Sequence, residues 1–188
     1  MYSDKYKFIF LHPGKCAGSS IKTCLWSFKA DAQLGNGHST LNEQRKHIIN
    51  RGLDPGEYHV FTVVRNPYDR MISWYNHATI GSNANRTHKR YTGTFLEFLS
   101  ERLDKNNPSE NLIPPYGSCD TVLRYESLQS DFDVLLKKLN LPSTTLPHLN
   151  KTNRSTKSRQ HFMDVYDTDT RSIVRDYFDC VISEFNYG

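Results

Sequence analysis

The 188-residue sequence predicts an α/β fold in one domain, with a mainly parallel central sheet flanked by helices. Three observations lead there. An apolar strand runs into a glycine-bearing loop and then a helix. The same order returns further along, where an apolar strand meets Arg65-Asn66-Pro67. A third strand with its own helix follows in the second half of the chain.

Phe8-Ile-Phe-Leu11 is a continuous apolar run, the pattern of a strand buried on both faces. His12-Pro-Gly-Lys-Cys-Ala-Gly18 ends it, because proline and glycine do not continue a strand. A helix then fits from about Ser19, with Ile21, Leu25 and Phe28 on one face. Val60-Phe-Thr-Val-Val64 reads as the second strand, and Pro67 suits the first turn of a helix whose buried stripe is Tyr68, Met71, Ile72 and Tyr75. Thr121-Val-Leu-Arg124 is the third strand, followed by a helix over Leu128–Leu139 carrying Phe132, Leu135, Leu136 and Leu139. Thr170–Phe185 reads as one C-terminal helix. Two polar segments, Gly81–Gly93 and Leu141–Ser158, read as loops, and loops of that length in a small domain tend to carry function.

Composition removes several classes. Hydrophobic residues make up 37% and aromatics 12%, enough for an ordinary core, so intrinsic disorder is excluded for the whole chain. No apolar run reaches the roughly 20 residues of a membrane span, and the first residues lack the apolar stretch of a signal peptide. The net charge of +4 suits a protein that handles anions, but is too small for one that coats nucleic acid. Cys16, Cys24, Cys119 and Cys180 form neither a CxxC pair nor a zinc-like pattern. They read as reduced thiols of a cytoplasmic protein without a metal, a membrane or a nucleic-acid partner.

In open α/β sheets ligands sit beyond the carboxyl ends of the strands. After the first strand, Gly14 and Gly18 allow close backbone approach, with Lys15, Cys16 and Ala17 between them. The following helix start offers N–H groups and a partial positive charge, and Ser19 and Ser20 add hydroxyls. Together these make an anion cradle. It is not a Walker A loop, since Lys15 comes early and no Lys-Ser/Thr pair closes it. Arg65, at the end of the second strand, suits bidentate phosphate recognition, with Ser73 on the helix face away from the apolar stripe. A solvated Lys15 in a tight turn, and an Arg65 paired with a buried carboxylate, are the structural alternatives. Two cradles fit an adenosine carrying phosphates at both its 5′ and 3′ positions.

These residues match a known pattern. His12-Pro-Gly-Lys-Cys-Ala-Gly-Ser-Ser20 resembles the 5′-phosphosulfate loop of sulfotransferases, usually Pro-Lys-Thr-Ala-Gly-Thr-Ser. Phe61-Thr-Val-Val-Arg-Asn-Pro-Tyr-Asp-Arg-Met-Ile-Ser-Trp-Tyr75 resembles their 3′-phosphate segment. Leu123-Arg-Tyr-Glu-Ser-Leu128 is similar to their Tyr-Glu turn, Leu146-Pro-His-Leu-Asn-Lys-Thr-Asn-Arg154 to their late Asn-Lys-Thr loop, and Phe185-Asn-Tyr187 to their terminal Phe-Gly-Tyr. The order is that of the compact carbohydrate-type members. Gly14 is inserted between Pro13 and Lys15, and Cys16 replaces the usual Thr, but the Lys-to-Ser spacing is kept.

The resemblance implies a single P-loop-like sulfotransferase domain over residues 1–188. Its donor would be 3′-phosphoadenosine 5′-phosphosulfate (PAPS), its product adenosine 3′,5′-bisphosphate (PAP), and its acceptor a hydroxyl, or an amine, of a carbohydrate. Lys15 would neutralise the leaving oxygen, Ala17–Ser20 hold the 5′ phosphate, Arg65 and Ser73 the 3′ phosphate, and Tyr125 contact adenine. Lys151 or Arg154 would close over the nucleotide, and no metal is needed. His38, in Gly37-His-Ser-Thr-Leu41, resembles the family's His-Ala-Thr segment and is the favoured general base. His77, His12, Glu57 and Glu126 are its rivals. Two other classes stay open: a nucleotide or small-molecule kinase on a similar scaffold, and a non-catalytic polyanion-binding module using Arg86, His88, Lys89 and Arg90.

Overall fold

The computed structural model describes residues 1–28, 38–80, 90–104, 112–147 and 162–187. Among these residues there are four strands and seven α-helices: β1 (Tyr2–Ser3), β2 (Phe8–Phe10), α1 (Gly18–Ser27), α2 (Leu41–Asn50), β3 (His59–Val64), α3 (Pro67–Ile80), α4 (Phe95–Arg102), β4 (Thr121–Arg124), α5 (Leu128–Lys138), α6 (Thr168–Tyr177) and α7 (Asp179–Phe185). The chain divides into two compact units, Met1–Arg65 with Ser109–Lys151, and Asn66–Pro108 with Thr152–Gly188.

The first unit is built on one sheet in the order β1-β2-β3-β4. β2, β3 and β4 run parallel, as the repeated strand–turn–helix grammar requires, while β1 adds an antiparallel edge. Side chains alternate across the sheet. Phe8, Phe10, Phe61, Val63 and Leu123 pack on one face with Ile21, Cys24 and Leu25 of α1 and Phe132, Leu135 and Leu136 of α5. Tyr2, Ile9, Leu11 and Val60 pack on the other face with Leu41 and Ile48 of α2. The result is the expected sandwich, with a helix layer on each face of a mainly parallel sheet. Each large side chain buried this completely contributes about 1.5–3 kcal/mol. α2 starts at a capping box in which Thr40 accepts from the Glu43 N–H and Glu43 bonds back to the Thr40 N–H.

His59 opens β3 and gives the sheet a pH dependence. Its Nε2 lies 2.9 Å from Thr121 Oγ1 on β4. Burial, with a smaller push from Lys138, holds its pKa below the ordinary 6.5, and Asp120 opposes the shift. The unfolded chain therefore binds the proton first, so this contribution to stability is present above about pH 6.5 and erodes below it. Denaturant midpoints measured against pH should fall on the acid side, and His59→Gln should flatten that fall. An unchanged acid limb in the variant would remove His59 from the explanation.

The second unit is helical and rich in aromatic contacts. Tyr75 meets Phe95 and Phe98 with ring centroids 5.2 and 5.4 Å apart. The Tyr166 hydroxyl donates to the Tyr68 carbonyl at 2.8 Å, and the two rings stand edge to face. Burial pushes the Tyr166 pKa well up, so this bond persists at any working pH. α4 begins at a second capping box, Thr94 with Glu97, and carries Phe95, Phe98 and Leu99 at helical spacing.

The C-terminal segment departs from the single helix expected over Thr170–Phe185. α6 stops at Tyr177 and α7 starts at Asp179. Phe178 between them has φ −105° and ψ 20°, outside the helical region. It is buried, and its ring packs on Tyr177 at 4.8 Å. Val174, Phe178 and Val181 keep helical spacing through the bend, and no glycine or proline marks it, so periodicity passes over it.

Candidate functional site

The loop from β2 to α1 carries the main concentration of unusual backbone. Lys15 (φ 64°) and Ala17 (φ 55°) are both left-handed, a conformation that costs a non-glycine residue about 1–2 kcal/mol. Left-handed turns of this kind form anion-binding concavities of backbone N–H groups. Ala17 is also the N-cap of α1 and contributes no side-chain cap, and the first turn holds no acidic residue. The helix start therefore keeps its positive character for a ligand. Ser19 is exposed at this turn, and Ser20 is buried with its N–H on the Ala17 carbonyl. Cys16 is fully buried under the loop, its Sγ 3.6 Å from the Gly14 carbonyl.

The two glycines have different tasks. A Cβ at Gly14 would meet nothing within 4 Å, so no neighbour dictates glycine there. A Cβ at Gly18 would come within 1.7 Å of His12 Cδ2. Gly18 is thus the place where the His12 ring lies against the helix start, a role that the sequence pattern does not reveal.

The sheet register explains what braces the loop. Val64 pairs with Arg124 across β3 and β4, so the next residues, Arg65 and Tyr125, are neighbours at the carboxyl ends of parallel strands. The Arg65 guanidinium lies 3.9 Å from the centre of the Tyr125 ring. Its Nη1 donates to the Lys15 carbonyl at 2.6 Å, holding the strained residue in place. Arg65 is only 7% exposed. Burial and, second, the positive charge of Arg65 lower the Lys15 pKa, and Cys16 works weakly the other way. A nearly buried Arg65 beside a half-buried Lys15 is an arrangement that a bound anion relieves.

His38 lies close by in the same unit. It is exposed, its Nδ1 is 3.0 Å from the His12 carbonyl oxygen, and its ring stacks on the His12 ring at 4.6 Å. A carbonyl only accepts, so Nδ1 carries the hydrogen, and neutral His38 presents its lone pair at Nε2. That is the form a general base needs. A cleft beside the pair is lined by His12, Pro13, Ser39, Thr40, Pro114 and Pro115, among others.

The structure thus brings together Lys15, Arg65 and Tyr125 around one loop, and His12 with His38 beside the cleft. Ser73 and His77 lie on α3 in the second unit, both half-buried, with Tyr68, Met71 and Ile72 as the buried stripe. Glu57 pairs with Lys7 at 2.9 Å and precedes β3, the opposite end of that strand from Arg65, which removes it as a base for chemistry at the loop. Glu126 is exposed in the short turn after Tyr125. Lys151 and Arg154, and Arg86, His88 and Lys89, lie outside the described residues; Arg90 is exposed. None of the four cysteines is in a disulfide. Among the described residues, no group of three His, Cys, Asp or Glu side chains is placed to hold a metal, and no helix is long and apolar enough to cross a membrane.

A family model described as Sulfotransferase family matches residues 1–188. No curated protein and no solved structure matches the chain.

Proposed function

The chain belongs to the sulfotransferase family and is a PAPS-dependent sulfotransferase, and from that premise we propose that it sulfates a carbohydrate hydroxyl, with Lys15 at the leaving oxygen and His38 as general base. The family implies PAPS as donor and PAP as product. One observation supports the donor site above the rest: a left-handed loop at a helix start, with Lys15 and Arg65 set beside each other. That donor set fits a phosphate-bearing anion. We treat residues 1–188 as one sulfotransferase domain because the match spans both units.

When bound, PAPS supplies the sulfuryl group and a phosphate leaving group. The chain's own work is positioning and charge stabilisation, as in phosphoryl transfer. Backbone N–H groups of Ala17–Ser19 and the Ser19 and Ser20 hydroxyls hold the 5′ phosphate, the Ser20 N–H being engaged by the Ala17 carbonyl. Lys15, flanked by Gly14 and Cys16, neutralises charge that develops on the leaving oxygen. Arg65 binds phosphate from its braced position and Tyr125 gives the nucleotide an aromatic contact. The sequence resemblance assigns Ser73 to the 3′ phosphate and Lys151 or Arg154 to closure over the nucleotide. His38 Nε2 accepts the proton of the acceptor hydroxyl while Nδ1–H stays on the His12 carbonyl. The acceptor assignment rests on the motif order of the carbohydrate-type members and the basic residues of the 81–93 segment.

Thermal unfolding with PAP, ATP and 5′-AMP at equal concentration tests the donor site. At one hundred times its Kd, PAP should stabilise the fold by about 2.7 kcal/mol. That is a shift of several degrees, and it should exceed the other two. Equal shifts with ATP or 5′-AMP would contradict recognition of the second phosphate.

A further inference from the structure

Sulfuryl transfer uses His38 and leaves the imidazole beneath it without a task. We propose that His12 is the positioning residue of the general base: its carbonyl fixes which His38 nitrogen carries the hydrogen, and its ring seats the His38 ring in a slot that exists because residue 18 is glycine. The inference rests on His38 being the base.

An exposed imidazole left to itself samples several rotamers and prefers its hydrogen on Nε2, which would turn the wrong atom toward an acceptor hydroxyl. Two contacts oppose this in His38. The 3.0 Å contact to the His12 carbonyl requires the hydrogen on Nδ1. The ring stack, 4.6 Å between centroids with 27° between planes, restrains rotation. The stack is anchored in the sheet: His12 lies on Phe10 at 5.7 Å and 16°, and Phe10 on Phe61 at 4.8 Å and 12°, both phenylalanines fully buried. Gly18 completes the seat, because any Cβ there would stand 1.7 Å from the His12 ring. Gly18 is also the first residue of α1, so the helix start that opens the anion loop also shapes the seat of the base.

The proton accounting agrees with this arrangement. The acceptor O–H loses its proton to Nε2 as oxygen bonds to sulfur and the sulfur–oxygen bond of the leaving phosphate breaks. The imidazolium keeps Nδ1–H on the His12 carbonyl, now a charge-assisted bond. The proton passes to water once the sulfated product has left.

Long-range nitrogen–proton NMR of the histidine side chains reads the tautomer without any substrate. In the wild-type chain His38 should show its hydrogen on Nδ1. His12→Ala keeps the backbone carbonyl but removes the ring that seats His38 against it, so the population should move toward Nε2–H and kcat should fall about 10- to 100-fold, the span seen when the partner that orients a metal-ligating imidazole is lost, with the donor KM unchanged. His12→Phe, which restores a flat ring on Phe10, should recover most of both losses. If His12→Ala is poorly folded, Gly18→Ala displaces the same ring and should give the same tautomer change. Wild-type tautomer and kcat in His12→Ala, or a wild-type tautomer in Gly18→Ala, would overturn the positioning role. Undiminished turnover in His38→Ala would instead overturn the base itself, whatever the tautomer shows.

Discussion

Lys15→Ala is expected to lower kcat about 100- to 1,000-fold, the range for removing one donor that meets charge developing in a transition state. PAP should still bind, more weakly, because the backbone N–H groups of the left-handed loop and the Arg65 guanidinium remain. The separation of the two effects carries the meaning. A side chain that only helped to bind the donor would raise KM and leave kcat alone. Lys15 is placed to do more, since burial and its cationic neighbour already disfavour its charged form in the ligand-free chain. Negative charge appearing on the leaving oxygen reverses that disfavour as the reaction proceeds. Initial rates at saturating donor, with PAP affinity measured separately, decide the matter. Unchanged turnover would end the leaving-group role.

His38→Ala should cost about 100- to 10,000-fold in kcat, the span of general-base contributions, and leave PAP affinity untouched. His77→Ala is the control. It lies on α3 and carries the same chemistry in principle. If His77→Ala takes the loss and His38→Ala does not, the base is on α3.

Most of the sheet could be read from the sequence because its signals are local. Parallel strands buried on both faces appear as continuous apolar runs, and β2 and β3 each end at a loop that stops them by composition, while β4 passes directly into the short turn Tyr125–Ser127. β1 escaped notice because two residues carry no pattern, and its pairing with Phe8 and Ile9 is tertiary. α4, absent from the expected elements, was nonetheless legible, with a start at Thr94 and Glu97 and with Phe95, Phe98 and Leu99 at i, i+3 and i+4. The break at Phe178 is a packing event with no residue type to announce it.

The candidate site divides along the same line. Residue types and spacing singled out Lys15 and Arg65, and the family resemblance added Tyr125 and His38. They could not say that Arg65 bonds the carbonyl of Lys15, because that follows from strand register. Nor could they separate the two glycines, since the demand at Gly18 comes from a ring six residues earlier folding back onto the helix start. The left-handed residues proved to be Lys15 and Ala17, where an expectation based on glycine alone would have looked elsewhere.

Calorimetric titration of PAP in two buffers of different ionisation enthalpy tests the donor site most directly. Near the ordinary lysine pKa of about 10.4, the ligand-free chain holds Lys15 less protonated than a free lysine, because its pKa is lowered. A phosphate placed between Lys15 and Arg65 raises that pKa, so binding should draw protons from the buffer. One PAP per chain, with net proton uptake that disappears in Lys15→Ala, is the expected result. Binding without proton uptake, or binding equally tight in Lys15→Ala and Arg65→Ala, would place the nucleotide somewhere other than this loop.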